Sequence, residues 1–260
     1  MTRSAAAALL CSLLMNVSPG WAAEDCPVVA EQGGVIFPVD QLDSDVRCLI
    51  APVVARPSTR GAIGPMETPI GPELYTYLLD HPAIMVMLLE RLGIDAPQFS
   101  STGHNQFLVD DEEGAHGVLT VIHRDEGHRI YYIDGEHQSY LFPTVRARTV
   151  VFMHIETAST VERRPAVQTA LVSYTQFEGR VLNGLARVFR PLVEWAVKRA
   201  LVREFDLTNQ LGSIIAEDPD RVRREAASLP FTDMEDRRML SALLLTAPKT
   251  RTPSAAASLP

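Results

Sequence analysis

From about residue 104 to residue 177 apolar side chains return at every second position, a spacing that places them on one face of a strand and scatters them around a helix. HNQFLVDDEEGAHGVLTVIHRDEGHRIYYIDGEHQSYLF holds three apolar runs, cut by Asp110 to Gly114 and by Asp125-Glu126-Gly127. The second spacer suits a three-residue hairpin loop, with Gly127 available for the left-handed position. RARTVVFMHIETAST and AVQTALVSYTQF add two strands, joined by the polar VERRP. About five successive strands with short turns predict a curved antiparallel meander. A sheet of that size cannot bury both faces by itself, so one face needs a cover.

Helical spacing supplies candidates for it. Pro72 suits the first turn of a helix. Leu74, Tyr75, Leu78 and Leu79 then repeat at helical spacing, Pro82 interrupts, and the pattern resumes until Gly93. Two short consecutive helices are predicted there. The preceding residues 51–72 are rich in proline and glycine and predict short extended pieces but no helix. Beyond Gly179, Leu185, Phe189, Leu192, Ala196, Ala200, Leu207, Leu211 and Ile214 fall close to one helical face, ending near Ala216. Arg187, Arg190, Glu194, Lys198, Arg199 and Arg203 occupy the other side, and those charges exclude a bilayer span. Pro191 kinks this helix or starts a second one. DRVRREAASL and TDMEDRRMLSALLL read as short amphipathic helices, and residues 247–260 have the composition of a disordered tail.

An α+β fold follows, in which a twisted sheet wraps a long helix and leaves a wedge, filled by side chains or open to a ligand. Two short helices, a meander and a long C-terminal helix resemble the START-like, helix-grip superfamily of lipid-transfer domains and polyketide cyclase relatives. The carrying pieces are ELYTYLLDHP and TALVSYTQFEGRVLNGLARVFRPLVEWAVKRAL, within residues 66–216. The resemblance implies a lipid, sterol-like or polyketide-like ligand between sheet and helix. An arm at 23–65 and a helical extension at 217–246 depart from that pattern.

The arm carries the compartment argument. Residues 1–22 have one early cation, Arg3, then an apolar run of about 13 residues and the small residues Gly20 and Ala22, the layout of a signal peptide cleaved near Ala22. That run is shorter than the roughly 20 residues a spanning helix needs. Cys11 leaves with the signal, and Cys26 and Cys48 remain as an expected disulfide in an oxidising compartment. A periplasmic or secreted protein is therefore expected. A formal net charge of −8 with no dense basic patch argues against nucleic acid and against non-specific attraction to anionic lipid.

Catalytic and metal chemistry find less support. His116, His123, His128 and His137 lie near Asp125, Glu126, Asp134 and Glu136, but most of these fall at turns, and no helical H-E-x-x-H pairs two ligands. No metal and no cofactor is expected. G-x-S-x-G and a glycine-rich phosphate loop are both absent. His123, Tyr132, Asp134 and His154 interrupt apolar strands, and a His–Asp pair facing a cavity could serve a cyclase, dehydratase or isomerase.

Non-enzymatic binding is the favoured reading. The expected lining is Val151, Met153, Ile155, Leu171 and Ser173, with Leu185, Phe189, Leu192 and Ala196 from the helix. A three-residue loop would add Thr120 and Tyr132 as one facing pair, and set Ile122 opposite Ile130. The expected partner is a hydrophobic small molecule or lipid, and transient membrane contact is compatible with that. A third reading is an interaction module whose wedge is filled by residues 231–245.

Overall fold

The computed structural model of the 260-residue chain describes residues 26–29, 31–138, 144–159, 165–178, 206–230 and 233–246. The expected signal peptide, the expected tail, and Leu185, Phe189, Leu192 and Ala196 of the expected gripping helix lie outside these residues. A short ladder of β1 (Glu31–Gln32) with β2 (Val35–Ile36) leads into helix α1 (Ser44–Ala55) and strand β3 (Thr59–Thr68). Helices α2 (Pro72–Asp80) and α3 (Pro82–Arg91) follow. Then come β4 (Gln98–Gly103), β5 (Gln106–Asp110), β6 (Ala115–Arg124), β7 (His128–His137), β8 (Val145–Ser159) and β9 (Pro165–Phe177). Residues 206–217 are helical (α4), and α5 (Pro219–Ala227) and α6 (Met234–Thr246) complete the described chain.

The fold is α+β, with one antiparallel sheet of seven strands in the order β3-β9-β8-β7-β6-β5-β4. The five expected strands are β5 to β9, and two more extend the sheet at its edges. β4 has little apolar alternation to reveal it. β3 contains Gly61, Gly64 and Pro65, residues that are poor strand formers except at an edge or a bulge, and it has both. At the bulge Gly64 has φ +98°, and a Cβ there would stand 2.5 Å from the Thr169 carbonyl oxygen. β3 also runs across the boundary expected at residue 65.

The two short helices form where predicted. Pro72 and Pro82 each sit in a first turn, where a missing N–H is not needed, and Gly93 ends the second helix at φ +79°. One helix corrects the sequence reading: α1 passes through Pro52 into the segment expected to hold none. Burial of Ile50, Val53 and Val54 on that helix outweighs the local penalty.

Both sheet faces are covered, where a single cover was expected. On the first, the arm face, Phe37 and α1 pack against Ile130, Val150, Phe152, Val172 and Tyr174. The Phe37 and Phe152 rings stack 3.8 Å apart, with Tyr174 edge-on to both. Cys26 and Cys48 are bridged, which fastens the start of the arm to α1. On the second, the helix face, Ile155 and Val167 join a core built by α2, α3, α4, α5 and α6. No helix among the described residues is long and apolar enough to cross a membrane.

Candidate functional site

Residues directly opposite one another in an antiparallel ladder share a face, so the register assigns each expected site residue a side. Val151 lies opposite Tyr131 and Ser173, Met153 opposite Leu171, and Ile155 opposite Thr169. Thr169 accepts or donates a 3.0 Å hydrogen bond with Tyr75 of α2, which fixes this group to the helix face. Tyr132 lies opposite Thr120 and Val150, and Ile122 and Tyr132 pack with the cluster under the arm. The lining expected of one cavity is thus divided: Val151, Met153, Ile155, Leu171 and Ser173 on the helix face, and Thr120, Ile122 and Tyr132 on the arm face. Alternation fixes sides within a strand, but the β7–β8 connection decides how two strands relate, and its residues carry no register signal.

The β6–β7 hairpin also departs from prediction in one place. Thr120 does face Tyr132, but Ile130 faces His123 instead of Ile122, because a bulge falls between Val121 and His123. Gly127 is not among the glycines with positive φ. The turn is held by Asp125 instead, whose Oδ1 accepts from Gly127 N at 2.8 Å and His128 N at 2.7 Å.

On the helix face, Val151 and Leu171 form an apolar cluster with Ile63, Met66, Tyr131, Ile133 and Met153, all of them strand residues. Two hydroxyls border it. Ser173 is 1% exposed and Thr59 3% exposed, and neither Oγ has a hydrogen-bond partner. A hydroxyl left in that state costs about 1–3 kcal/mol. Their neighbours are satisfied: Thr175 and Thr149 pair at 2.9 Å, and Arg129, buried on this face, is held by Asp80. Burial pushes the Tyr131 hydroxyl well above its ordinary range. This part of the face is therefore apolar and buried, with two unpartnered hydroxyls and no unpaired charge among the described residues.

The arm face carries a chain of ionisable groups at one end of β7 and β8. His123 Nε2 is 3.1 Å from Asp125 Oδ2, and His128 Nδ1 is 3.0 Å from Asp125 Oδ1. His128 Nε2 is 3.1 Å from His154 Nδ1, and His154 Nε2 is 2.8 Å from Glu156 Oε1. Burial alone would raise the Asp125 carboxyl, but hydrogen bonds from His123, Gly127 N and His128 outweigh it and bring it to about 2. Of the groups weighed for acid–base catalysis, His123 and His154 are linked only through Asp125 and His128, Asp134 pairs with Arg148 at 3.8 Å, and among the described residues no hydrogen bond joins His123 or Asp134 to Tyr132. Among the described residues no group of three or more His, Cys, Asp or Glu side chains is arranged to hold a metal ion.

Two open grooves, of about 360 and 340 Å³, lie elsewhere, between the α2 start and the α6 end and along α4. Neither touches Ser173, Thr59 or the histidine chain. Thr59 escaped the sequence reading because β3 did. The His128–His154 contact escaped it because cross-strand partners need a register.

No family model matches the chain, and no curated protein matches it. Among solved structures it is similar to the crystal structure of a conserved protein from Geobacillus kaustophilus, with 14% identity and a TM-score of 0.40 over 59% of this chain and 93% of that one. A likeness of this degree carries no argument about activity.

Proposed function

We propose that the protein is an exported, START-like domain that binds a hydrophobic ligand against the helix face of its sheet, without catalysis. The observation that carries this reading is the pair of buried, unpartnered hydroxyls, Ser173 and Thr59, beside the apolar Val151–Leu171 cluster. A ligand with an apolar body and one neutral hydroxyl or carbonyl would complete both sets of interactions, placing its polar group where a donor and acceptor are waiting. The absence of an unpaired charge on this surface, among the described residues, favours a lipid, sterol-like or acyl molecule with an uncharged head. Two short helices followed by an antiparallel meander, with β9 returning beside β3, support the helix-grip arrangement. The Cys26–Cys48 bridge supports a periplasmic or secreted location.

Native mass spectrometry of the purified mature protein, followed by lipid extraction, tests this. The expected result is an apolar molecule in near one-to-one ratio. A protein that is empty, and that binds no member of a panel of fluorescent fatty acids and sterols, overturns the reading.

One observation favours a second reading, an interaction module with a filled core. Leu240 and Leu244 of α6 are fully buried in the same cluster as Tyr77, Ile155 and Val167, so one end of the helix face is already occupied by the chain itself. The empty outcome above would move this reading to first place.

A further inference from the structure

We propose that His128 and His154 form a binding site for a divalent transition-metal ion of the zinc class, held between Nε2 of His128 and Nδ1 of His154. The argument is one of protons and lone pairs. Asp125 faces the outer nitrogen of His128, with Oδ1 and Oδ2 at 3.0 and 3.1 Å from Nδ1, and Glu156 faces the outer nitrogen of His154 at 2.8 Å. Each carboxylate draws a proton to the nitrogen it faces, because only an N–H can donate to it. With each outer nitrogen carrying its ring's proton, the two inner nitrogens present lone pairs 3.1 Å apart. A cation between them would satisfy both lone pairs at once.

Ring geometry favours a metal ion over a shared proton. A straight N–H···N bond of this length would set the ring centroids roughly 5.4 Å apart. They are 4.9 Å apart with the planes at 38°, so the lone pairs are tilted off the line joining the nitrogens. Two nitrogens 3.1 Å apart fit one edge of a coordination shell with metal–nitrogen bonds of about 2.0–2.1 Å. A carboxylate on the far nitrogen of each ligand is the usual support for metal-bound histidine. The His128 and His154 side chains are 23% and 27% exposed, so an ion reaches them from solvent. No third His, Cys, Asp or Glu among the described residues completes the set, so water or an anion fills the remaining positions. The site lies on the arm face and is independent of the ligand reading above.

Titration of the EDTA-treated full chain with ZnCl2 near pH 7.5, followed by calorimetry, tests the proposal. One Zn²⁺ per chain is expected, lost in His128→Gln and in His154→Gln and weakened about 10–100-fold in Asp125→Asn. The melting temperature of each metal-free variant separates a lost site from a lost fold. Imidazole nitrogen NMR of the wild-type protein supplies a second readout, with Zn²⁺ expected to shift His128 Nε2 and His154 Nδ1 most. No binding at 100-fold excess Zn²⁺, with one proton shared by the two nitrogens, overturns the proposal. Binding that survives both histidine variants overturns it too.

Discussion

Asp80 at the end of α2 grips Arg129 of β7 through two parallel hydrogen bonds, Nε to Oδ1 at 3.2 Å and Nη2 to Oδ2 at 3.3 Å. Arg129 is 2% exposed, and its Nη1 donates to the carbonyls of Asp125 and His128. One side chain thus ties the helix face to the hairpin turn that orients the histidines on the opposite face.

Removing the acid strands a buried guanidinium, and breaking a buried pair in this way costs about 3–5 kcal/mol. Asp80→Asn is therefore expected to lower unfolding stability by about 3 kcal/mol. Arg124 also reaches Asp80, at 3.8 Å, but is 40% exposed, so Arg124→Gln should cost less than about 1 kcal/mol. Urea unfolding of both variants checks the difference, and equal losses would show that the parallel bonds to Arg129 contribute nothing special.

The Cys26–Cys48 bridge closes the arm onto α1 across a sequence separation of 22. Replacing both cysteines by serine should destabilise by about 2–4 kcal/mol, mostly by freeing the unfolded chain. Hydrogen exchange distinguishes where the loss falls. The β8 and β9 amides around Phe152 and Val172, beneath Phe37, should exchange faster in the variant, while the α2 and α3 amides hold. Uniform acceleration would mean the arm and the helix face unfold as one unit.

How far the sequence went depended on whether a feature was local. Apolar alternation in β5 to β9 and the paired prolines of α2 and α3 are signals within one element, and each element formed. β3 was hidden because its glycines and proline, which normally argue against a strand, are tolerated at an edge and a bulge. α1 was hidden because its stability comes from Ile50, Val53 and Val54 packing on the sheet, not from its own residues' preferences. The site was less legible still. Ser173 stands out within its own strand, but its companion Thr59 lies more than a hundred positions away, and Thr120, Ile122 and Tyr132 face the opposite side from Ser173 because sidedness between strands passes through a loop. His128 and His154 meet only through the β7–β8 ladder.

Gly117 and Gly127 should respond very differently to an added methyl group. A Cβ on Gly117 would stand 2.7 Å from Gly135 Cα and 2.8 Å from the Asp134 carbonyl oxygen, both backbone atoms that cannot step aside. Gly117→Ala is expected to cost at least about 1–3 kcal/mol through strain between β6 and β7. At Gly127 the nearest atom is 3.6 Å away, an ordinary contact, and Gly127→Ala should be nearly neutral. Thermal melts of the two single variants decide it; a neutral Gly117→Ala would mean the ladder can widen there without loss.

Ser173 sets stability against binding. Its hydroxyl is 1% exposed and unpartnered, so Ser173→Ala removes a desolvated group and leaves a gap the size of one oxygen. The metal-free, ligand-free variant is expected to gain about 1 kcal/mol of stability, since the hydroxyl is a net penalty where nothing bonds it. The same change should reduce the fraction of protein that retains a co-purified ligand, if the proposed site holds the ligand's polar group at this hydroxyl. Thr59→Val should act in the same direction. Melting temperature measured after delipidation, beside native mass spectra before it, reads both effects on one preparation. If Ser173→Ala lowers the stability of the delipidated protein, the hydroxyl already has a partner in solution, and its role in receiving a ligand's polar group falls with it.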